Sequence, residues 1–227
     1  GVYHYGVVRA LLQQGVLPRV ICGASAGALV GAFACCRDDA ELRQTLEDEA
    51  DLFREMGSEG PLHGSLLWKL KQLFRRGRIY DSAHFRKHLQ WFSRGLTFRE
   101  AFELSGRVLT ITCTPTRSRG KRAPPLLLNH VETPNVDIAS AICASVCIPG
   151  LIEPVYLLEK KPDGTLEPFH QTDELGMRIV LRDGSYECDV PLKPLAAQFG
   201  VAFSIVSQVN PHVVPFYVHP CGRPGRP

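Results

Sequence analysis

Ser25 stands at the centre of Gly23-Ala24-Ser25-Ala26-Gly27, the G-x-S-x-G form of a nucleophile elbow. A serine hydroxyl attacks poorly until a base takes its proton, and a sharp strand-to-helix turn is one way of exposing it for that purpose. Arg19-Val20-Ile21-Cys22 before the motif is a short β-branched run, and Ala28 to Cys35 after it is a small-residue helical stretch. It is this setting that makes the pattern a candidate, because G-x-S-x-G is short enough to arise by chance or as a Gly-rich packing turn. The glycines are expected because a Cβ at the turn would clash. A helix starting after Ser25 would aim its first amides, including those of Ala26 and Gly27, at a developing acyl oxyanion, which is half of an oxyanion hole.

A base is offered by Arg182-Asp183-Gly184-Ser185, which follows the short Val180-Leu181 strand. This puts a carboxylate at a strand end beside a glycine turn, where open α/β sheets bind their ligands. Judged alone, it reads equally as an ordinary Asp-Gly turn. A histidine can also be drawn in. In the order Ser, Asp, His, only His212 and His219 follow Asp183, and His212 lies in Asn210-Pro211-His212 just after a strand-like run. A Ser25-Asp183-His212 triad is therefore the rival to proton transfer by Asp183 alone. His4, His63, His84, His88, His130 and His170 show no comparable arrangement. Ser140 and Ser145 have no adjacent base in the sequence and read as packing positions.

The elements that must carry these residues follow from periodicity. Gly6 to Gln14 is a short amphipathic helix stopped by Gly15, and Asp38 or Asp39 caps an acidic, largely solvated helix to about Met56. Leu62 to Phe74 gathers leucines on one face with Lys69, Lys71, Arg75, Arg76 and Arg78 beside it, either an interfacial lipid-contacting helix or one packed on the core with a solvated basic edge. Trp68 and Trp91 fit a lipid boundary or the core. Thr97 caps a helix to about Leu104 with Gly106 as its stop, and Arg107 to Cys113 alternates as a strand. Pro115 to Pro125 is a basic loop, and Asp137 to Cys147 is a small-residue helix. Pro154 to Glu159 and Arg178 to Leu181 flank a Pro162-Asp163-Gly164 turn. Leu192 to Phe199 is helical and Val201 to Val209 a buried strand. Strands separated by helices predict an α/β layer fold with a mainly parallel sheet.

Composition narrows the function classes. The 227 residues are 44% hydrophobic and 22% charged, ordinary globular usage with enough chain for one substantial core. A net charge of +3 is too mild for a nucleic-acid binder, which would need a clustered basic stripe. The 8 cysteines sit mostly in apolar segments, so they are expected to be reduced and buried, as in a cytoplasmic protein. Cys143 and Cys147 lack the further Cys or His that a metal site needs, and no zinc is predicted. Val20 to Cys36 is too short and glycine-interrupted to span a membrane. The stretch opens at Gly1 without a basic-plus-apolar leader.

With these residues in view, the chain resembles the patatin-like phospholipase family, and within it the plant and fungal triacylglycerol lipases. The Ser25 elbow and the Asp183-Gly184-Ser185 turn match the family's serine and aspartate motifs in order and spacing. Tyr3-His4-Tyr5-Gly6-Val7-Val8, Leu96-Thr97-Phe98-Arg99-Glu100-Ala101-Phe102, Thr133-Pro134-Asn135-Val136 and Ser207-Gln208-Val209-Asn210-Pro211-His212 match as well. The resemblance implies a three-layer α/β/α catalytic domain over residues 1–210, followed by an irregular Pro- and Gly-rich tail over 211–227. It implies a Ser25-Asp183 dyad working through a covalent acyl-enzyme, with no metal or organic cofactor, on long-chain acyl esters at a lipid-droplet or membrane surface. It also implies that Gly1 is the last glycine of the family's oxyanion loop, so that the N-terminal strand and most of that loop are expected to be cut from this stretch. Triacylglycerol is the implied substrate. A phospholipase, lysophospholipase or acyltransferase would use the same two residues, and a catalytically lapsed lipid-surface binding module would keep their pattern.

Overall fold

The computed structural model describes residues 2–48, 82–115, 125–147, 155–170, 181–183 and 190–209, and all side chains among them except those of 2, 82–85, 87, 182 and 183. The basic, leucine-rich 62–78 stretch, Trp68, the C-terminal part of the acidic helix and the tail expected from 211 lie outside the described residues.

The first helix, α1 (Val2–Gln13), begins earlier than its periodicity suggests and buries Tyr5, Val8 and Leu12 on one face. It ends where Gly15 takes a left-handed φ of 68°, with the Val16 amide returning to the Leu11 carbonyl at 2.9 Å. Strand β1 (Val20–Gly23) follows, then α2 (Ala26–Cys35). This helix is apolar on every side and is the buried centre of the domain. Next, α3 (Asp39–Glu47) is capped by the Asp38 carboxylate, which accepts from the Glu41 amide at 2.8 Å. As expected of a largely solvated helix, it buries only Leu42 and Leu46 among residues 39–47.

Helix α4 (Ser82–Ser93), which sequence periodicity did not reveal, packs against α2 and drives Leu89 and Phe92 into the core. Trp91 belongs to this core contact, its ring stacked on Phe33 with centroids 5.7 Å apart. Helix α5 (Phe98–Ser105) has the expected Thr97 cap, here a full capping box in which Glu100 answers the Thr97 amide, and it stops at Gly106 with φ 67°. Strand β2 (Val108–Pro115), strand β3 (Leu126–Leu128) and helix α6 (Ile138–Ser145) follow, the helix capped by Asp137 and wholly buried. Burial raises the Asp137 carboxyl above its ordinary range, an effect opposed by the Ser140 amide and Arg86.

A hairpin, β4 (Leu158–Lys160) and β5 (Leu166–Pro168), closes around the predicted Pro162-Asp163-Gly164 turn, with Gly164 at φ 83°. Its second arm is thus Leu166–Pro168 rather than Arg178–Leu181. Leu181 instead opens β6 (Leu181–Asp183), and α7 (Leu192–Phe199) ends at left-handed Gly200 as expected. Residues 201–209 are the clear departure. They run extended with no ladder partner among the described residues, and Phe203 is 82% exposed where a buried strand was expected.

The fold is α/β, and its described sheet is mixed rather than mainly parallel. β1 pairs with β2 in parallel, while β3 and β6 both pair with β2 antiparallel. Helices α2 and α6 lie on β2. Both faces of β2 are buried, because Leu109, Ile111 and Cys113 alternate with equally buried Thr110, Thr112 and Thr114, as a strand between two layers requires. No helix among the described residues is long and apolar enough to cross a membrane.

Two contacts hold α2 in place. At its start, a Cβ on Gly23 would overlap the Gly27 carbonyl and the Ala28 nitrogen, so only glycine admits the helix this close to β1. Gly27 does not share that constraint, since a Cβ there would meet nothing within 4 Å among the described residues. At its end, buried Arg107 donates to the Ala34 carbonyl at 3.0 Å and the Arg37 carbonyl at 3.1 Å, and it pairs with Asp39. Arg37 donates to the Phe33 carbonyl at 3.2 Å and lies 4.3 Å above the Phe33 ring. These guanidinium groups satisfy carbonyls that a helix end leaves open.

Two outcomes are expected. Gly23→Ala should destabilise the fold by more than about 3 kcal/mol, beyond ordinary overpacking because backbone atoms must move, whereas Gly27→Ala should stay within about 0.5 kcal/mol; thermal unfolding of the two variants checks the contrast. Arg107→Ala should cost at least about 1–3 kcal/mol, the penalty for one stranded buried acceptor, seen as a lower urea midpoint with an unchanged slope.

Candidate active site

Ser25 has φ 52° and ψ −121°, a backbone conformation rarely adopted by a residue with a Cβ. Such strain persists only where the surroundings over-determine it and is the signature of an elbow rather than of an ordinary loop. Ser25 is the N-cap residue of α2, yet its side chain makes no capping hydrogen bond. The hydroxyl is therefore not consumed by the helix it introduces.

The amides around it divide unequally. Gly27 donates to the Ala24 carbonyl at 2.8 Å and Ala28 to the Ser25 carbonyl at 3.0 Å. The Gly27 amide expected to face an oxyanion is thus already engaged, because the turn closes back on itself before the helix straightens. The Ala26 amide has no acceptor among the described residues, which makes it the donor open to a ligand at the N-terminus of α2. Gly1 and Gly184, also expected around the oxyanion, lie outside the described residues.

The Ser25 amide is satisfied from elsewhere. It donates to the Ser145 hydroxyl at 3.0 Å, and that hydroxyl donates onward to the Thr112 carbonyl at 2.8 Å. Ser145, fully buried at the end of α6, is therefore tied to the elbow itself and not merely packed in a small-residue helix. The motif pattern carries no signal for this bond, which depends on a residue far away in sequence. Ser140, the other serine of that helix, is structural, donating to the Asp137 carbonyl at 2.7 Å and accepting from the Leu158 amide at 3.0 Å.

The strand register brings Asp183 toward the elbow. Ile111 pairs with Gly23 on one side and Leu128 on the other, while Cys113 pairs with Asp183 and Leu126. Since β3 occupies one edge of β2 at both positions, β1 and β6 must share the opposite edge. They run toward each other, and their carboxyl ends meet at the elbow. Asp183 sits two register positions beyond Gly23 along β2, roughly 7 Å in the strand direction. The Asp183 carboxylate and His212 lie outside the described residues.

Ser25 opens onto a cleft of about 520 Å³. One wall is β1, with Val20 and Cys22, and the other is the 201–209 segment, with Phe203 and Ile205. His4, which offered no sequence signal for the site, lines the same cleft and is hydrogen-bonded through Nδ1 to the Ser207 hydroxyl at 2.7 Å. Burial lowers its affinity for a proton, holding its pKa below the ordinary value. The expected burial of the cysteines is observed at Cys35, Cys36, Cys113, Cys143 and Cys147. Burial pushes the thiols of Cys35 and Cys143 up to about 12, far from the thiolate form that reacts.

Comparison with known proteins places this arrangement. The patatin-like phospholipase family model matches residues 1–176. A patatin-like phospholipase domain-containing protein of Aspergillus niger is 42% identical over 227 residues, 99% of this chain and 28% of that protein. A namesake from Coccidioides immitis is 42% identical over 226 residues, 99% of this chain and 29% of that protein. The chain thus spans under a third of the length of these relatives. Among solved structures, VipD from Legionella pneumophila aligns with a TM-score of 0.42 and 14% identity over 83% of this chain and 44% of its own. A family match over most of the chain, joined to such identity along nearly all of it, makes this chain a member of the patatin-like phospholipase family.

Proposed function

We propose that the protein is a serine lipid-acyl hydrolase in which Ser25 is the nucleophile and Asp183 its base, acting on long-chain carboxylic esters, triacylglycerol first among them. The observation that carries this reading is the strained Ser25 at the wall of the cleft, with the strand end bearing Asp183 converging on the same point. Family membership supports lipid as the substrate class.

The steps follow from ordinary acyl-transfer chemistry. Asp183 accepts the Ser25 proton as the hydroxyl oxygen attacks the acyl carbonyl, and the resulting oxyanion is met by the Ala26 amide and the positive end of α2. The carbon–oxygen bond to the leaving alcohol breaks as Asp183 returns the proton to it, and an ester on Ser25 remains. Water then gives a proton to Asp183 and attacks that ester. The fatty acid leaves and Ser25 regains its proton. A carboxylate is a weaker base than imidazole, so this dyad requires water to be partly excluded around Asp183. Phe203 and Ile205, exposed along the cleft, suit an acyl chain.

The reading extends to where the protein works. An aggregated ester must be met at a surface, so a peripheral location on lipid droplets or membranes facing the cytoplasm is part of the proposal. A phospholipase, an acyltransferase and a non-catalytic lipid-binding module are its competitors.

The test uses the full-length protein. A fluorophosphonate probe should label the wild type and not Ser25→Ala, and Asp183→Asn should lower ester hydrolysis by roughly 10⁴-fold or more. Turnover of triolein above phosphatidylcholine supports the triacylglycerol assignment, and the reverse order replaces it with a phospholipase. Liposome binding without labelling would leave only the binding module.

His212→Ala separates the two mechanisms. Under the dyad, kcat should stay within a few-fold of wild type, whereas a triad would lose about 10⁴-fold.

A further inference from the structure

We infer that Ser145 is a positioning residue for the nucleophile, holding the Ser25 elbow in register with the strand that carries Asp183. The inference rests on the assignment of Ser25 as nucleophile and concerns what fixes its geometry.

The backbone of Ser25 creates the need. As the N-cap, Ser25 precedes the hydrogen-bonded run of α2, so its amide has no carbonyl to meet within that helix and needs an acceptor from another element. Ser145 supplies it at 3.0 Å. A serine near a helix end usually turns its hydroxyl back to the carbonyl four residues earlier. The Ser145 hydroxyl instead leaves its own helix, accepting from the elbow and donating to the Thr112 carbonyl at 2.8 Å. Full burial of Ser145 keeps water from taking over its bond to Thr112.

The place where the relay lands gives it meaning. Thr112 lies between Ile111, which pairs with Gly23, and Cys113, which pairs with Asp183. Thr112 is therefore the β2 residue between the last register pair of β1 and that of β6. The hydroxyl of Ser145 joins the elbow to this residue, and so to the strand that sets the position of Asp183. Without it, Ser25 can relax from its strained conformation and its hydroxyl moves relative to both the carboxylate and the Ala26 amide. A displacement of about 1 Å at a reacting group costs on the order of 100-fold in rate.

The experiment compares Ser145→Ala with wild type in the full-length protein, using a soluble short-chain ester for kcat and KM and a fluorophosphonate for the rate of Ser25 modification. Each rate is scaled to the folded fraction from thermal melts. Ser145→Ala should lower kcat and the modification rate by roughly 10- to 100-fold while KM stays within about two-fold of wild type, as a purely positional loss requires. Ser145→Thr and Ser145→Val are equal in bulk and differ in the hydroxyl, so Thr should retain clearly more activity than Val. Wild-type kcat in Ser145→Ala, a loss confined to KM, or equal activity of the Thr and Val variants would overturn the role of Ser145 while Ser25 still labels. A wild type that resists labelling would overturn the nucleophile assignment and this inference with it.

Discussion

The geometry of the site depends on how closely α2 begins above the end of β1. With no side chain at Gly23, the first turn of the helix lies directly on the strand, its Gly27 carbonyl occupying the space where a Cβ would stand. The chain then has only two residues between strand and helix in which to reverse direction. Ser25 absorbs the turn by taking φ 52°, a strain of about 1–3 kcal/mol for a residue of its kind. Everything else at the elbow follows from that. The Gly27 and Ala28 amides fold back on Ala24 and Ser25, the Ser25 amide reaches Ser145, and the Ala26 amide is left without an acceptor among the described residues.

Such strain persists because α2 is fixed elsewhere. The helix is buried from Ala28 to Cys35 apart from Leu29, and it is crossed by α4 and α6. Its two ends are treated oppositely. The C-terminal carbonyls of Phe33 and Ala34 are met by the guanidinium groups of Arg37 and Arg107, so the negative end of the helix dipole is neutralised by charges placed away from the cleft. The N-terminal end has no acidic side chain in its first turn. The positive potential there is left for whatever negative charge arrives from the cleft, and a tetrahedral oxyanion is such a charge.

Where the sequence was legible, the signal was local. Thr97 with Glu100, Asp38 with Glu41 and Asp137 with Ser140 are caps whose donors and acceptors lie within one turn, and the elbow is a five-residue pattern. The misses lack such a local signal. Residues 201–209 have the apolar, β-branched composition of a core strand, but strand formation needs a neighbour to pair with, and among the described residues none is there. Helix α4 hides because, among its described side chains, Leu89 and Phe92 alone are buried hydrophobics, while Trp91 and the basic residues blur the period. The second arm of the hairpin, Leu166–Pro168, is too short and exposed to show alternation. Ser145 was invisible for the same reason, since a hydroxyl in a small-residue helix reads as packing until its acceptor and donor are known.

The convergence of β1 and β6 explains why two residues far apart in sequence need no long loop to bring them together. Both strands are referenced to β2, one through Gly23 opposite Ile111 and the other through Asp183 opposite Cys113. Ladder pairing permits only whole-residue shifts, and a shift by one turns a strand's side chains to the other face of the sheet. The relative placement of elbow and carboxylate strand is therefore discrete, with no intermediate settings for a surface loop to explore. Between the two pairings a buried hydroxyl, that of Ser145, ties the elbow to Thr112 of β2. A domain built this way fixes the elbow relative to the Asp183 strand by backbone pairing to β2 and by one buried side chain.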